Sequence, residues 1–259
     1  MEKRSVTAVS YLNTKPFLYG LLQHPVREQL NLELDIPSEG ARKLLTGASD
    51  LGLVPVAILP ELSGASIISD YCIGTEGMVK TVSIYSQVPI DQVERLWLDF
   101  HSRTSVELAK ILLREYWQVN PILKAASPGY LDRLAPRDAA LVIGDRTIGL
   151  SERFEYEYDL GASWKELTGL PFVFAAWVSR DPLPKAFLQQ FNEALANGVA
   201  AIPELTYLIP SPDPSFDLQE YFTRYINYSL DAPKKEALQL FLGKVKAGTK
   251  LAFQEVGSH

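Results

Sequence analysis

The chain has 259 residues, 47% of them apolar and 22% charged, with a net charge of −6. That balance excludes a disordered chain and argues against a non-specific nucleic-acid binder, which needs a basic surface to displace counterions. The length suits two lobes or one large one.

A first strand is expected over residues 5–9, followed by a loop from Tyr11 to Pro16. Ser38 reads as the hydroxyl N-cap of a helix, with Ala41, Leu44, Leu45 and Ala48 at helical spacing and Gly47 near its end. Residues 50–55 read as a buried strand that Pro55 terminates. Strand, helix, strand predicts a parallel sheet with helical crossovers. Residues 79–86 alternate with period two, which puts Thr81 and Ser83 on one face of a long strand. A short strand over 95–99 follows. Ser102, Arg103, Thr104 and Ser105 then open an amphipathic helix with Val106, Ala109, Leu112 and Leu113 on one face. A buried strand over 139–145 ends at the turn Gly144-Asp145, and another apolar strand covers 172–178. Only helices are expected after it, over 184–201, 217–230 and 233–246, with Asp181, Asp217 and Asp231 near their caps.

The long strands near 79–86 and 172–178 bracket a middle α/β unit. The expected fold is α/β in two lobes: residues 1–84 plus 178–259 form a discontinuous first lobe, and residues 85–177 the second. A ligand cleft lies between them, because ligands of open α/β sheets bind beyond the carboxyl ends of strands. The plainer alternative is one continuous sheet with no hinge.

The lone cysteine, Cys72, cannot form an internal disulfide, and no neighbouring His or Lys activates it. His24, His101 and His259 lack ligand spacing, so no metal is expected. No phosphate-binding glycine loop is present, so no nucleotide cofactor is indicated. The opening residues lack the apolar run of a signal peptide, and no stretch is long enough to span a membrane. The expected location is the cytoplasm.

Four segments fall where a site belongs: Tyr11 to Pro16, Ser38 to Gly40, Ser102 to Ser105, and Gly144-Asp145. A helix N-terminus carries unpaired N–H groups and suits a carboxylate. Any one of Ser102, Thr104 and Ser105 can be a simple cap, but three hydroxyls and Arg103 in four residues exceed what a cap requires. Asn13 reads either as a ligand-orienting amide or as a turn residue before Pro16. Thr81 and Ser83 face the cleft or pack across strands. Asp50, Asp70, Asp99 and Asp159 read as caps or surface charges, and no acid–base pair stands out.

The same segments, taken as strings, resemble the chorismate dehydratases of the futalosine route to menaquinone. The resemblance begins at Tyr11-Leu12-Asn13-Thr14-Lys15-Pro16. It continues through Asp50 to Pro55, Cys72-Ile73-Gly74, Ser102 to Val106, Ile143-Gly144-Asp145 and Tyr158 to Gly161. It ends in the most specific string, Trp164 to Trp177, and so covers about residues 5–180. It implies a periplasmic-binding-protein type II-like fold, no metal and no organic cofactor. It also implies a dianionic small-molecule partner, chorismate, with no nucleic acid and no membrane involved. The implied reaction converts chorismate to 3-[(1-carboxyvinyl)oxy]benzoate and water. On this basis Asn13 and Thr81 are the expected catalytic residues, Thr81 standing where the family has a serine. Tyr11, Ser38, Pro55, Ser83, Ser102, Arg103, Thr104, Ser105, Gly144 and Asp145 are the expected substrate-binding set. The rival readings are 1,4-dihydroxy-6-naphthoate synthase of the same route, whose family has a catalytic His, and a non-catalytic cytoplasmic binding protein for a small carboxylate.

Overall fold

The computed structural model describes residues 3–254, so His259 lies outside the described residues. The chain forms two mixed sheets. The first has the strand order β11-β4-β10-β3-β1-β2 and the second β7-β6-β8-β5-β9.

The first sheet begins with β1 (Arg4–Val9), helix α1 (Lys15–Gln23), β2 (Leu30–Asp35), α2 (Pro37–Thr46), β3 (Leu51–Pro55) and β4 (Ser66–Thr75). β1 pairs in parallel with both β2 and β3, as strand–helix–strand order requires. α2 buries Ala41 and Leu44 against the sheet, and Gly47 ends it in the left-handed region at φ 77°. Ser38 does not cap it. Pro37 takes the first turn, where its missing N–H is harmless, and Ile36 becomes the N-cap without a side-chain bond.

The chain then builds the second sheet with β5 (Val82–Ser86), β6 (Arg95–Leu98), α3 (Thr104–Glu115), β7 (Ile122–Ala125), β8 (Asp138–Ile143) and β9 (Tyr156–Asp159). It returns through α4 (Leu160–Thr168) to β10 (Phe172–Ser179), which is buried along its whole length. β10 runs antiparallel between β3 and β4, so a strand covered on both faces carries an unbroken apolar run. Strand pairing thus sets the crossings between sheets at residues 76–81 and 160–171, whereas the pattern reading drew them at 84 and 177. The alternation over 79–86 concealed the break before β5: Lys80 has φ 67°, outside any strand.

The remaining elements are α5 (Lys185–Ala200), α6 (Ile202–Leu208), α7 (Leu218–Glu220), β11 (Asn227–Ser229) and α8 (Ala232–Val245). The helix expected over 217–230 forms only as far as Tyr225, as α7 widening into a π-helical turn over Tyr221–Tyr225, and the chain then enters a strand. β11 pairs antiparallel with β4, and this edge offers Asn227 and Ser229 ladder bonds that a helix of such polar residues would not surpass. α1 and α5 pack at close range through Gly20 and Gly198. Among the described residues no helix is long and apolar enough to cross a membrane. Cys72 is fully buried, and burial pushes its thiol up to about 12, which leaves it unreactive near neutrality.

Asp159 ties the two crossings together. Its carboxylate accepts from the N–H groups of Val79 and Lys80 on the first crossing, at 3.0 and 2.7 Å. It also caps α4 on the second by accepting from Ala162 N–H at 2.9 Å. Burial outweighs these bonds and raises the acid from 3.8 to about 6. The folded state then holds this proton more tightly than the unfolded chain does. Stability from the group is full below 3.8 and is lost as pH rises through about 6. An Asp159→Asn variant should flatten the pH dependence of unfolding free energy across that window, by about 3 kcal/mol at most. Urea unfolding of both proteins between pH 4 and 7 measures the difference, and parallel profiles would refute it.

Candidate active site

The carboxyl ends of β1 and β3 meet the second sheet across a small enclosed cavity. Its floor is apolar: Val9, Ile73, Val79, Ile143 and Phe174 line it. Polar atoms come from Asn13 after β1, Thr81 before β5, and Ser102, Thr104 and Ser105 at the start of α3. Pro55 and Gly144 complete the wall among the expected residues. The cavity volume is about 50 Å³, far below the roughly 300–1,000 Å³ of pockets that hold small organic ligands.

The hydroxyls share a bonding pattern. Ser102 Oγ accepts from Ser105 N–H at 3.0 Å, which is the capping role, and Thr104 Oγ1 accepts from Ala57 N–H at 3.2 Å. An acceptor hydroxyl keeps its own hydrogen to donate. The first turn of α3 adds N–H groups that no intrahelical bond satisfies. Among the described residues, none of those lining the cavity is Asp, Glu, His, Lys or Arg. The site therefore offers donors without fixed charge, in an apolar surround that strengthens them.

Five expected residues sit beside the cavity and do not line it. Tyr11 packs its ring against Gly144, where an added Cβ would stand 2.6 Å from the ring, and Gly144 itself has φ 66°. The Tyr11 hydroxyl lies 2.5 Å from His101 Nδ1, and burial pushes its phenol up to about 12. Ser38 donates its N–H to His101 O at 3.0 Å. Asp145 accepts from Leu12 N–H at 3.0 Å, and burial raises its acid above the ordinary range. These bonds, with that from Ala57 to Thr104, clasp one lobe to the other. Ser83 turns away entirely and donates to Glu157 at 2.9 Å. β5 begins only at Val82, so Thr81 lies outside the strand whose pleat orients Ser83. Arg103 is half exposed and 4.0 Å from Glu61.

Three contributors escaped the sequence reading. Asp99, expected as a cap or surface charge, is 1% exposed. It binds the N–H groups of His101 and Ile143, at 2.9 and 3.0 Å, and the Arg146 guanidinium, which anchors the loops behind the cavity. Tyr221 places its hydroxyl 2.8 Å from Thr81 Oγ1, and Tyr228 donates to Asn13 O at 3.0 Å. Both tyrosines come from the C-terminal segment, where no string or spacing marked a site.

A family model described as menaquinone biosynthesis matches residues 4–247. The chain is 31% identical over 226 residues to the chorismate dehydratase of Thermus thermophilus, covering 74% of this chain and 80% of that protein. It is 30% identical over 131 residues to the chorismate dehydratase of Campylobacter jejuni, covering 48% and 56%. Among solved structures it resembles an Archaeoglobus fulgidus protein with TM-score 0.74 at 17% identity, over 95% of this chain and 97% of that one. A Candida albicans protein described as having the generic periplasmic binding protein fold matches with TM-score 0.60 at 12% identity, over 100% and 99%. The two-lobed architecture is thus that of the periplasmic binding proteins, and the chain belongs to the menaquinone-biosynthesis family.

Proposed function

We propose that this protein is a cytoplasmic chorismate dehydratase that opens the futalosine route to menaquinone. The observation that carries the reading is the cavity's inventory: hydroxyls and an amide arranged as donors, with no ionisable side chain lining it. Chorismate is a dianion that presents acceptors at both carboxylates and a hydroxyl at C4. Donors at the α3 N-terminus suit a carboxylate, and Asn13 and Thr81 line the same cavity.

In the reaction the C3–H bond breaks and its electron pair enters the ring diene toward the ring carboxylate. The C4–O bond then breaks, the ring becomes aromatic, and the hydrogen taken from C3 leaves in water. In this reading a carboxylate of the substrate is the base; among the described residues no carboxylate or imidazole lines the cavity. The protein's part is to hold the dianion in a reactive conformation and to donate hydrogen bonds where charge develops. Among the described residues no histidine lines the cavity, which also speaks for the dehydratase over the naphthoate synthase.

Incubating the purified protein with chorismate and following the aromatic ether by ultraviolet absorbance and NMR tests the reading. Stoichiometric release of 3-[(1-carboxyvinyl)oxy]benzoate is expected. Saturable binding without product would replace this reading with that of a binding protein.

A further inference from the structure

The C-terminal segment reaches the cavity from behind the wall. After α7 the backbone widens into a π-helical turn over Tyr221–Tyr225, closed by Ile226 N–H to Tyr221 O at 3.0 Å. Such turns are rare and concentrate at functional sites. This one delivers two aromatic rings to the first crossing. Lys80 Nζ lies 5.0 Å from the ring centres of both Tyr225 and Phe216, and Tyr221 bonds Thr81. Gly144 N–H adds a bond to Thr81 O at 2.8 Å. Two separate elements therefore fix Thr81, directly after a residue held at φ 67°.

The hydrogens on this network have one consistent arrangement. Thr14 Oγ1 donates to Asn13 Oδ1 at 3.2 Å, so the Asn13 NH₂ is the end left for other partners. Tyr221 is fully buried, and Thr81 Oγ1 is the partner its hydroxyl finds among the described residues. A buried phenol that donated nothing would leave its single hydrogen unsatisfied, so that hydrogen goes to Thr81 Oγ1. Thr81 Oγ1, having accepted from Tyr221, directs its own hydrogen elsewhere, and the cavity that Thr81 lines is its open side.

We propose that Tyr221 is a positioning residue: it donates to Thr81 and keeps the Thr81 hydroxyl a donor toward the oxygen leaving C4. The inference rests on the dehydratase reading. Thr81 gives up no proton in this scheme; it stabilises the departing oxygen by a hydrogen bond. Without the phenol, Thr81 Oγ1 loses the donor that fixes its orientation, and its hydrogen is free to rotate away from the cavity.

The test compares Tyr221→Phe, Thr81→Ala and the double variant, with thermal unfolding confirming that each is folded. Tyr221→Phe should lower kcat about tenfold, the worth of one misdirected hydrogen bond, with KM within about threefold. In the Thr81→Ala background the same change should alter kcat less than about twofold, because the group that Tyr221 orients is gone. Thr81→Ser keeps the acceptor and should keep the full dependence on Tyr221. A Tyr221→Phe enzyme with unchanged kcat, or equal losses with and without the Thr81 hydroxyl, would overturn the inference while leaving the dehydratase reading intact. A wild-type protein that makes no product from chorismate would overturn both.

Discussion

Asn13→Ala should reduce kcat by about a hundredfold or more, the usual effect of deleting one preorganised donor at a reacting centre. The fold should barely register the change. The Asn13 side chain has one bond in the resting protein, from Thr14 Oγ1 at 3.2 Å, and losing a single such bond costs about 1 kcal/mol. Tyr228 holds the backbone carbonyl of Asn13, which alanine also possesses, so the loop keeps its place. Steady-state kinetics beside thermal unfolding separates the two effects. A variant with near-normal kcat removes Asn13 from the catalytic machinery, and a collapse of stability makes it a turn residue.

The largest effect on stability should come from Gly20→Ala. An added Cβ would stand 1.9 Å from Ala194 O and 2.8 Å from Gly198 N, both backbone atoms of α5. Gly198 meets the same barrier from the other side, with its Cβ position 2.0 Å from Pro16 O. Alanine favours a helix over glycine by about 1 kcal/mol, so a gain would follow if the position were open. Here the helices must separate, and overpacking of this severity costs about 3 kcal/mol or more. For a chain of this size that lowers Tm by about 10 °C. α1 starts two residues after Asn13, so the displaced helix should also raise KM. Calorimetry checks the first effect and kinetics below the transition the second. An unshifted Tm would show that α1 and α5 can slide apart freely.

Much of this architecture was legible because burial writes itself into composition. β3 and β10 are covered on both faces and carry unbroken apolar runs, while α3 shows its buried stripe as Leu108, Leu112 and their neighbours. Elements whose stability comes from a partner were harder to read. β11 has three residues and exists because β4 offers it an edge. Ser38 looked like a cap because hydroxyls favour that position, but the preceding proline already satisfied the helix start. At the site, Asn13, Thr81 and the α3 hydroxyls announced themselves through family strings. Ser83 was grouped with them because the alternation runs on through residues 79–86, whereas the strand begins only at Val82, after Thr81. Tyr221 and Asp99 carried no local signal. Their roles arise from contacts 140 and 44 residues away, and no window along the chain reaches that far.

Asp159 gives the molecule a mechanical property. Both covalent connections between the lobes are fastened to the same carboxylate, through Val79 and Lys80 on one and Ala162 on the other. Two independent tethers would let the lobes shear as well as swing. Tethers riveted at one point remove the sliding freedom, and any movement that preserves all three bonds is a rotation about that rivet. The mouth of the cavity then opens like a door on a single pin.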